Sequence, residues 1–206
     1  MTRLGLVLAL ALSVALAAQS PQDYVDRAVT AFERGRHAEA LAAFDDLIKL
    51  IPDVRPELWQ RGIILYDLGR YQECAAQFAA FHTLSPEDVE NAAWHFFCTA
   101  KAESLAAARK ALFKAGPDPR VMRMEIYAML TGTITPEQVI ERAGGLPIAE
   151  FYAHLYVGLY LEVQSDTKAA LPHLIEAAHP RLAEYGGFMN IAARVHRDTL
   201  VRMVGR

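Results

Sequence analysis

The 206-residue sequence has few of the features that mark several protein classes. Two cysteines are too few for a disulfide-rich scaffold or a zinc site with four cysteine ligands. Twelve glycines and ten prolines exclude a collagen-like or low-complexity chain. The 21 Lys and Arg do not exceed the 24 Asp and Glu, so we expect no nucleic-acid partner. The hydrophobic fraction of 53% is typical of a packed globular protein.

Motifs for catalysis and nucleotide binding are also missing. The sequence has neither a glycine-rich phosphate loop nor a nucleophile elbow. His95 and Cys98 are three residues apart and would share one face of a helix. Two ligands do not complete a tetrahedral zinc site, so an enzyme or metal-binding protein that uses His95 and Cys98 is the least favoured alternative. We predict no catalytic residue, no metal and no cofactor.

The first residues have the pattern of a secretory signal peptide. Arg3 precedes an apolar run from Leu4 to Leu16, and Ala15-Leu16-Ala17 has the small-x-small pattern of a cleavage site. The run is shorter than the roughly 20 residues of a transmembrane helix, although an uncleaved N-terminal anchor is the alternative. No cysteine near the cleavage site could accept a lipid. We therefore predict a signal peptide over residues 1–17, a periplasmic or secreted location and no membrane span after cleavage.

Two segments of the chain repeat each other at a spacing of about 34 residues. Residues 24–52, shifted by this spacing, match residues 58–86 at several positions, and these positions have different structural roles. Two glycines would form turns with positive φ, two small residues would let paired helices approach, and two phenylalanines would fill the gap between repeats. The matched positions are Arg27 and Arg61, Ala28 and Gly62, Gly35 and Gly69, Ala40 and Cys74, Phe44 and Phe78, and Pro52 and Pro86.

This repeat resembles the tetratricopeptide repeat (TPR), a helix–turn–helix unit of about 34 residues. The resemblance implies an all-α fold for residues 21–206, a superhelix (α-solenoid) of helical hairpins closed by a C-terminal capping helix at residues 188–204. An irregular α-helical bundle is the alternative. The predicted pairs span about 21–50, 55–84, 88–115, 120–142 and 147–178.

The signal-peptide pattern and the late block from Phe151 to Tyr160 narrow the resemblance. Together they resemble exported bacterial TPR proteins and, distantly, the NlpI-type envelope proteins. Those relatives are lipid-anchored dimers that act as adaptors for proteases and cell-wall hydrolases. The resemblance therefore implies a non-catalytic protein–protein interaction or scaffold module of the periplasm or cell envelope.

The family resemblance also implies a binding surface, because the first helix of each TPR pair lines a concave face. The corresponding positions lack the Lys/Arg/Asn clamp with which some relatives hold a carboxylate terminus, and most are apolar or aromatic. We call them the concave strip: Val25, Val29, Phe32, Trp59, Ile63, Tyr66, Phe97, Tyr152, Leu155 and Leu159.

Two hypotheses account for the apolar strip. It binds an apolar peptide or an amphipathic helix of a partner protein. Alternatively it is filled by the chain's own closing helix or by the second subunit of a structural homodimer, since large apolar patches rarely stay exposed.

The two cysteines would lie on neighbouring helices. Cys74 occupies a position that requires a small packed residue, and a buried cysteine behaves as a small hydrophobe, which favours two free thiols for Cys74 and Cys98. A disulfide between them is the alternative in an oxidising compartment.

Overall fold

A computed structural model describes residues 20–205. This range is 74% helical and contains no strand, which confirms the predicted all-α class. The predicted signal peptide, residues 1–17, lies outside the described residues, so the location of the protein stays a prediction. The helices are α1 (Pro21–Glu33), α2 (His37–Leu50), α3 (Trp59–Asp67), α4 (Tyr71–His82), α5 (Val89–Ala102), α6 (Leu105–Lys110), α7 (Arg123–Leu130), α8 (Pro136–Ala143), α9 (Pro147–Val163), α10 (Thr167–Ala177) and α11 (Phe188–Val204).

The same turn joins four pairs of consecutive helices. A residue with positive φ follows the first helix of each pair, and the next residue donates its N–H to the carbonyl five positions earlier. The helices on either side of each turn pack against each other. The turn residues are Gly35 (φ 70°), Gly69 (72°), Gly132 (79°) and Ser165 (67°), as the sequence predicts for the first two glycines.

Two glycines inside helices allow the paired helices to approach closely. A Cβ atom on Gly62 would lie 2.5 Å from Phe78 Cε2, and one on Gly158 would lie 2.7 Å from Leu174 Cγ. The Phe78 side chain therefore packs on Gly62 within its own hairpin. Its ring also stacks on Trp94 of α5, with centroids 6.0 Å apart, so it fills the gap to the next pair as well.

Helix α5 is the central element of the fold. All residues from Asn91 to Ala100 are buried, because α5 packs against α3, α4, α6, α7 and α9. Asp88 caps its first turn by accepting a hydrogen bond from the Asn91 N–H at 3.1 Å. The cap and the surrounding helices thus fix the position of the first turn of α5.

A disulfide joins Cys74 of α4 to Cys98 of α5, with the Cα atoms 5.7 Å apart. This separation lies within the usual range of about 4.4–6.8 Å. The favoured prediction of two free thiols is wrong, because the close packing of α4 on α5 brings both buried side chains into the same interface.

The last helix folds back on the beginning of the chain. Helix α11 packs on α10, its neighbour in sequence, and also contacts α1 and α3. Over residues 20–205, none of the helices has the length and apolar character needed to cross a membrane.

Substitution of Gly158 by alanine tests the close approach of α9 and α10. We expect Gly158→Ala to lower the free energy of unfolding, because overpacking costs about 1–3 kcal/mol and the gain in helix propensity is only about 1 kcal/mol. Urea unfolding measures the change.

The same substitution in a Leu174→Ala background is the matched control. Removal of the Leu174 branch leaves room for the new methyl group, so Gly158→Ala should there be neutral or stabilising. An equal loss in both backgrounds would contradict the packing described for Gly158.

Candidate functional site

Helix α11 covers part of the concave strip predicted from the sequence. The ring of Phe188, at the start of α11, stacks on Phe32 with centroids 5.6 Å apart and meets Trp59 edge to face at 5.3 Å. Further along the strip, the ring of His196 lies 5.5 Å from the ring of Tyr66. The chain's own closing helix therefore occupies the part of this face on α1 and α3, which is one of the alternatives that the sequence leaves open.

The ten strip residues divide into two groups by burial. The open groove predicted from the sequence is absent over the buried group, because α11 and the neighbouring helices pack on these side chains. Partner binding or self-association through the strip stays a prediction, and in this structure only the half-buried strip residues retain exposed surface for it. Phe32, Ile63, Tyr66, Phe97, Leu155 and Leu159 are buried, whereas Val25, Val29, Trp59 and Tyr152 are half-buried.

A buried ionic network fastens α11 to the rest of the chain. The imidazole of His196 bridges two carboxylates, with Nδ1 at 2.5 Å from Asp67 Oδ1 and Nε2 at 2.6 Å from Glu162 Oε2. Lys101 Nζ donates to the other oxygen of Glu162 at 2.9 Å, and the Tyr66 hydroxyl donates to Glu162 at 3.4 Å. The network thus joins helices α3, α5, α9 and α11.

The charges in this network hold each other ionised. Burial alone would lower the pKa of His196, but Asp67 and Glu162 overcome this effect and raise it to about 10. Burial alone would raise the pKa of Glu162, but His196 and Lys101 bring it down to about 2. His196 is therefore an imidazolium at neutral pH and donates hydrogen bonds from both ring nitrogens.

A cleft opens at the first turn of α5. Its volume is about 170 Å³, and it lies between the start of α3, the end of α4, the start of α11 and Arg120. We call it the α5 cleft. Its apolar and aromatic walls are Trp59, Phe78, Phe81, Trp94 and Met189.

Two buried side chains that line the α5 cleft have polar atoms without partners. The side chains of Asn91 and Trp94 belong to residues that are each only 3% exposed. Within residues 20–205, neither the oxygen nor the nitrogen of the Asn91 amide is hydrogen-bonded, and the Trp94 N–H has no acceptor. A buried unpaired polar group costs about 1–3 kcal/mol, so a ligand that pairs with these atoms would recover free energy.

Asp88, Glu90 and Arg120 line the α5 cleft and form its charged rim together with Asp118 and Arg123, which bind to them. Arg120 binds three carboxylates, with nitrogen–oxygen distances of 2.7 Å to Asp88, 3.1 Å to Glu90 and 2.5 Å to Asp118. Arg123 binds Glu90 as well, at 2.7 Å. Three carboxylates against two guanidinium groups give the rim a formal charge of -1.

The rim is connected to two tyrosines of α9. The guanidinium of Arg123 lies over the ring of Tyr152, 3.8 Å from its centroid, and Tyr156 donates its hydroxyl hydrogen to Glu90 at 2.8 Å. Of the predicted strip, Trp59 lines the α5 cleft and Tyr152 contacts its rim. The other eight strip residues do not line the cleft.

Sequence reasoning missed Asn91, Arg120 and the role of the Trp94 N–H. Asn91 lies in the dense segment of α5 around His95 and Cys98, and Arg120 lies in a segment without repeat symmetry. Two of its three carboxylate partners, Asp88 and Glu90, are 32 and 30 residues away in sequence, so no local spacing indicates them.

The pair considered for catalysis or metal binding has a structural role. Cys98 is half of the disulfide, so it offers no free thiol in this structure. The ring of His95 stacks on Phe113 at a centroid distance of 4.0 Å, and burial together with nearby His82 lowers the pKa of His95 to about 4. A role of His95 in catalysis stays a hypothesis without geometric support.

No protein-family model matches the chain, and no curated protein shows significant sequence similarity to it. Its function is therefore inferred from the chemistry of the α5 cleft and its surroundings.

Replacement of His196 tests whether the buried network holds α11. His196→Gln leaves Asp67 buried without the imidazolium and Glu162 with Lys101 as its remaining cation, and removal of one partner of a buried ion pair costs about 3–5 kcal/mol. We expect a loss of this size at pH 7 in urea unfolding.

The pH dependence gives the same test a second measurement. The folded pKa of His196, about 10, is above the unfolded value, so its contribution is complete below about pH 6.5 and is lost as the pH rises to 10. The stability of the unsubstituted chain should fall between these pH values, and that of His196→Gln should fall less. His179→Gln, a change at an exposed histidine, is the control and should follow the unsubstituted chain. Parallel curves for His196→Gln and the unsubstituted chain would contradict the network.

Proposed function

We propose that this protein is a non-catalytic interaction module of the periplasm or cell envelope, built from TPR-type helical hairpins, and that it binds an extended segment of a partner protein in the α5 cleft. The hairpin type is supported by the 34-residue sequence repeat, by the shared turn geometry and by the closing helix α11. The location is supported by the signal-peptide pattern of residues 1–17.

The unpaired amide of Asn91 is the observation that carries this proposal. A carboxamide offers one acceptor and two donor hydrogens, and a peptide bond offers one donor and one acceptor. The polar atoms of Asn91 and Trp94 have almost no accessible surface without a ligand, so both side chains must turn toward the cleft when a segment binds. Asn91 can then form two hydrogen bonds with a single peptide unit of the ligand, and the Trp94 N–H would donate to a further carbonyl of the same segment.

The dimensions and walls of the α5 cleft limit the ligand. A volume of about 170 Å³ is smaller than the pockets of roughly 300–1,000 Å³ that hold drug-sized molecules. The space suits one or two residues of a chain that continues past the opening. The aromatic walls at Trp59 and Phe81, with Met189, favour an aliphatic or aromatic side chain between the peptide units.

The rim charge favours a neutral or basic segment over a free carboxylate. Each guanidinium at the rim is already paired with acidic side chains, and the formal charge of the rim is -1. A carboxylate terminus would add a further negative charge at this place. This agrees with the missing carboxylate clamp in the sequence.

Peptide selection with a matched variant tests the proposed function. The probe is a peptide selected from a random 12-residue library on the immobilised unsubstituted chain, and its dissociation constant is measured by fluorescence anisotropy. Asn91→Leu keeps the same heavy-atom branching but removes both polar atoms. We expect it to weaken binding at least tenfold and to leave the free energy of unfolding unchanged or higher, because no buried polar group is then left unpaired.

Asn190→Leu is the control, because the Asn190 amide is also buried but has partners. It donates to the Leu182 carbonyl at 3.3 Å and accepts from Arg194 at 3.2 Å. This variant should lose stability and keep the peptide. Failure to select any peptide, or equal affinity of Asn91→Leu and the unsubstituted chain, would contradict the proposed function.

A further inference from the structure

Two histidines face each other on the helices of the last hairpin. His154 of α9 and His173 of α10 have their Nδ1 atoms 3.0 Å apart, and both side chains are half-buried. The hairpin holds them at this distance because Gly158, one turn after His154, lets α10 pack directly on α9. Neither histidine belongs to the α5 cleft or to the network around His196.

We propose that His154 and His173 together bind a divalent transition metal, Cu²⁺ or Ni²⁺. Imidazole nitrogen is a preferred ligand of both ions. Metal–nitrogen bonds are about 2.1 Å long, so two nitrogens 3.0 Å apart enclose an angle of about 90° at a shared ion. This is the angle between neighbouring ligands in the square-planar or tetragonal geometry of Cu²⁺ and Ni²⁺.

The observed distance fits a tetrahedral ion less well. A tetrahedral angle of about 109° would require the two nitrogens to be roughly 3.4 Å apart at the same bond length. Two imidazoles without a third protein ligand from residues 20–205 also leave a tetrahedral zinc site incomplete, whereas Cu²⁺ and Ni²⁺ accept water at their remaining positions. The donor set therefore favours Cu²⁺ or Ni²⁺ over Zn²⁺ at this pair.

Without metal, the two rings hold each other in place. A contact of 3.0 Å between ring nitrogens is a hydrogen bond in which one Nδ1 carries the hydrogen and the other accepts it. Metal binding requires that this hydrogen moves to Nε2 of the same ring, so that both Nδ1 lone pairs point to the ion. No net proton is released from two neutral imidazoles.

The remaining coordination positions would be filled by water. Within residues 20–205, no three His, Cys, Asp or Glu side chains are close enough to hold an ion together. Glu150 lies one turn before His154, and Glu176 lies one turn after His173, but Arg181 engages both carboxylates. With Glu137 of α8, whose charge also acts on His173, three carboxylates and one guanidinium give these neighbours a formal charge of -2, which attracts a cation.

Copper titration of the chain, purified without a histidine tag, tests this site. The probe is Cu²⁺ or Ni²⁺ chloride alone, followed by calorimetry, and the Cu²⁺ complex is also examined by electron paramagnetic resonance. We expect one bound ion per chain and a signal split by two equivalent imidazole nitrogens.

Ring-preserving variants identify the ligands. His154→Phe and His173→Phe keep an aromatic ring at each position, and each should raise the dissociation constant at least tenfold and remove the two-nitrogen signal. His82→Phe is the control at another half-buried helical histidine that stacks on an aromatic ring, and it should bind as the unsubstituted chain does.

Arg181→Ala gives an independent readout that does not alter either histidine. This change frees Glu150 and Glu176, so it should tighten metal binding. Absence of stoichiometric uptake by the unsubstituted chain, or uptake by both phenylalanine variants that equals the uptake by the unsubstituted chain, would overturn the proposal. Because the α5 cleft takes no part in these measurements, either proposal can fail without the other.

Discussion

A buried imidazolium between two carboxylates joins the end of the chain to its first half. Removal of an ion from water costs several kcal/mol, so buried charges are stable only when each has its partners. Here the four charged groups are balanced, because His196 and Lys101 neutralise Asp67 and Glu162. Helix α11 cannot shift along the other helices without leaving at least one of these charges unpaired. The position of α11 is therefore fixed.

The docked helix determines which surface remains for a ligand. Phe188 covers Phe32 and Trp59 on the concave strip, whereas Met189, the next residue, forms one wall of the α5 cleft. The same contacts that close the long apolar strip thus shape a shorter and more polar site at the first turn of α5. In this site the aromatic walls supply contact area, and Asn91 and Trp94 supply the hydrogen-bonding groups that select a peptide backbone.

The sequence predicted the features that depend on nearby residues. The turns at Gly35, Gly69 and Ser165 follow from local pattern, and so does the extent of the closing helix at residues 188–204. The docking of α11 was only one of the alternatives that the sequence left open, and its ionic contact could not be predicted, because His196 and its partner Asp67 are 129 residues apart in sequence. Asn91 was missed for a related reason, since an asparagine is recognisable as unpaired only when the side chains around it are known. The disulfide needed the distance between α4 and α5, which the repeat spacing does not provide.

The protonation state of His196 is the most direct measure of the ionic network on which this account depends. Nitrogen-15 NMR of the imidazole ring, recorded between pH 5 and pH 8, reports whether both ring nitrogens carry hydrogen. The account predicts an imidazolium signal that does not change over this range, since the pKa of His196 is raised to about 10. Titration of His196 near the ordinary value of about 6.5 would show that the carboxylates of Asp67 and Glu162 do not hold the ring and would contradict the account.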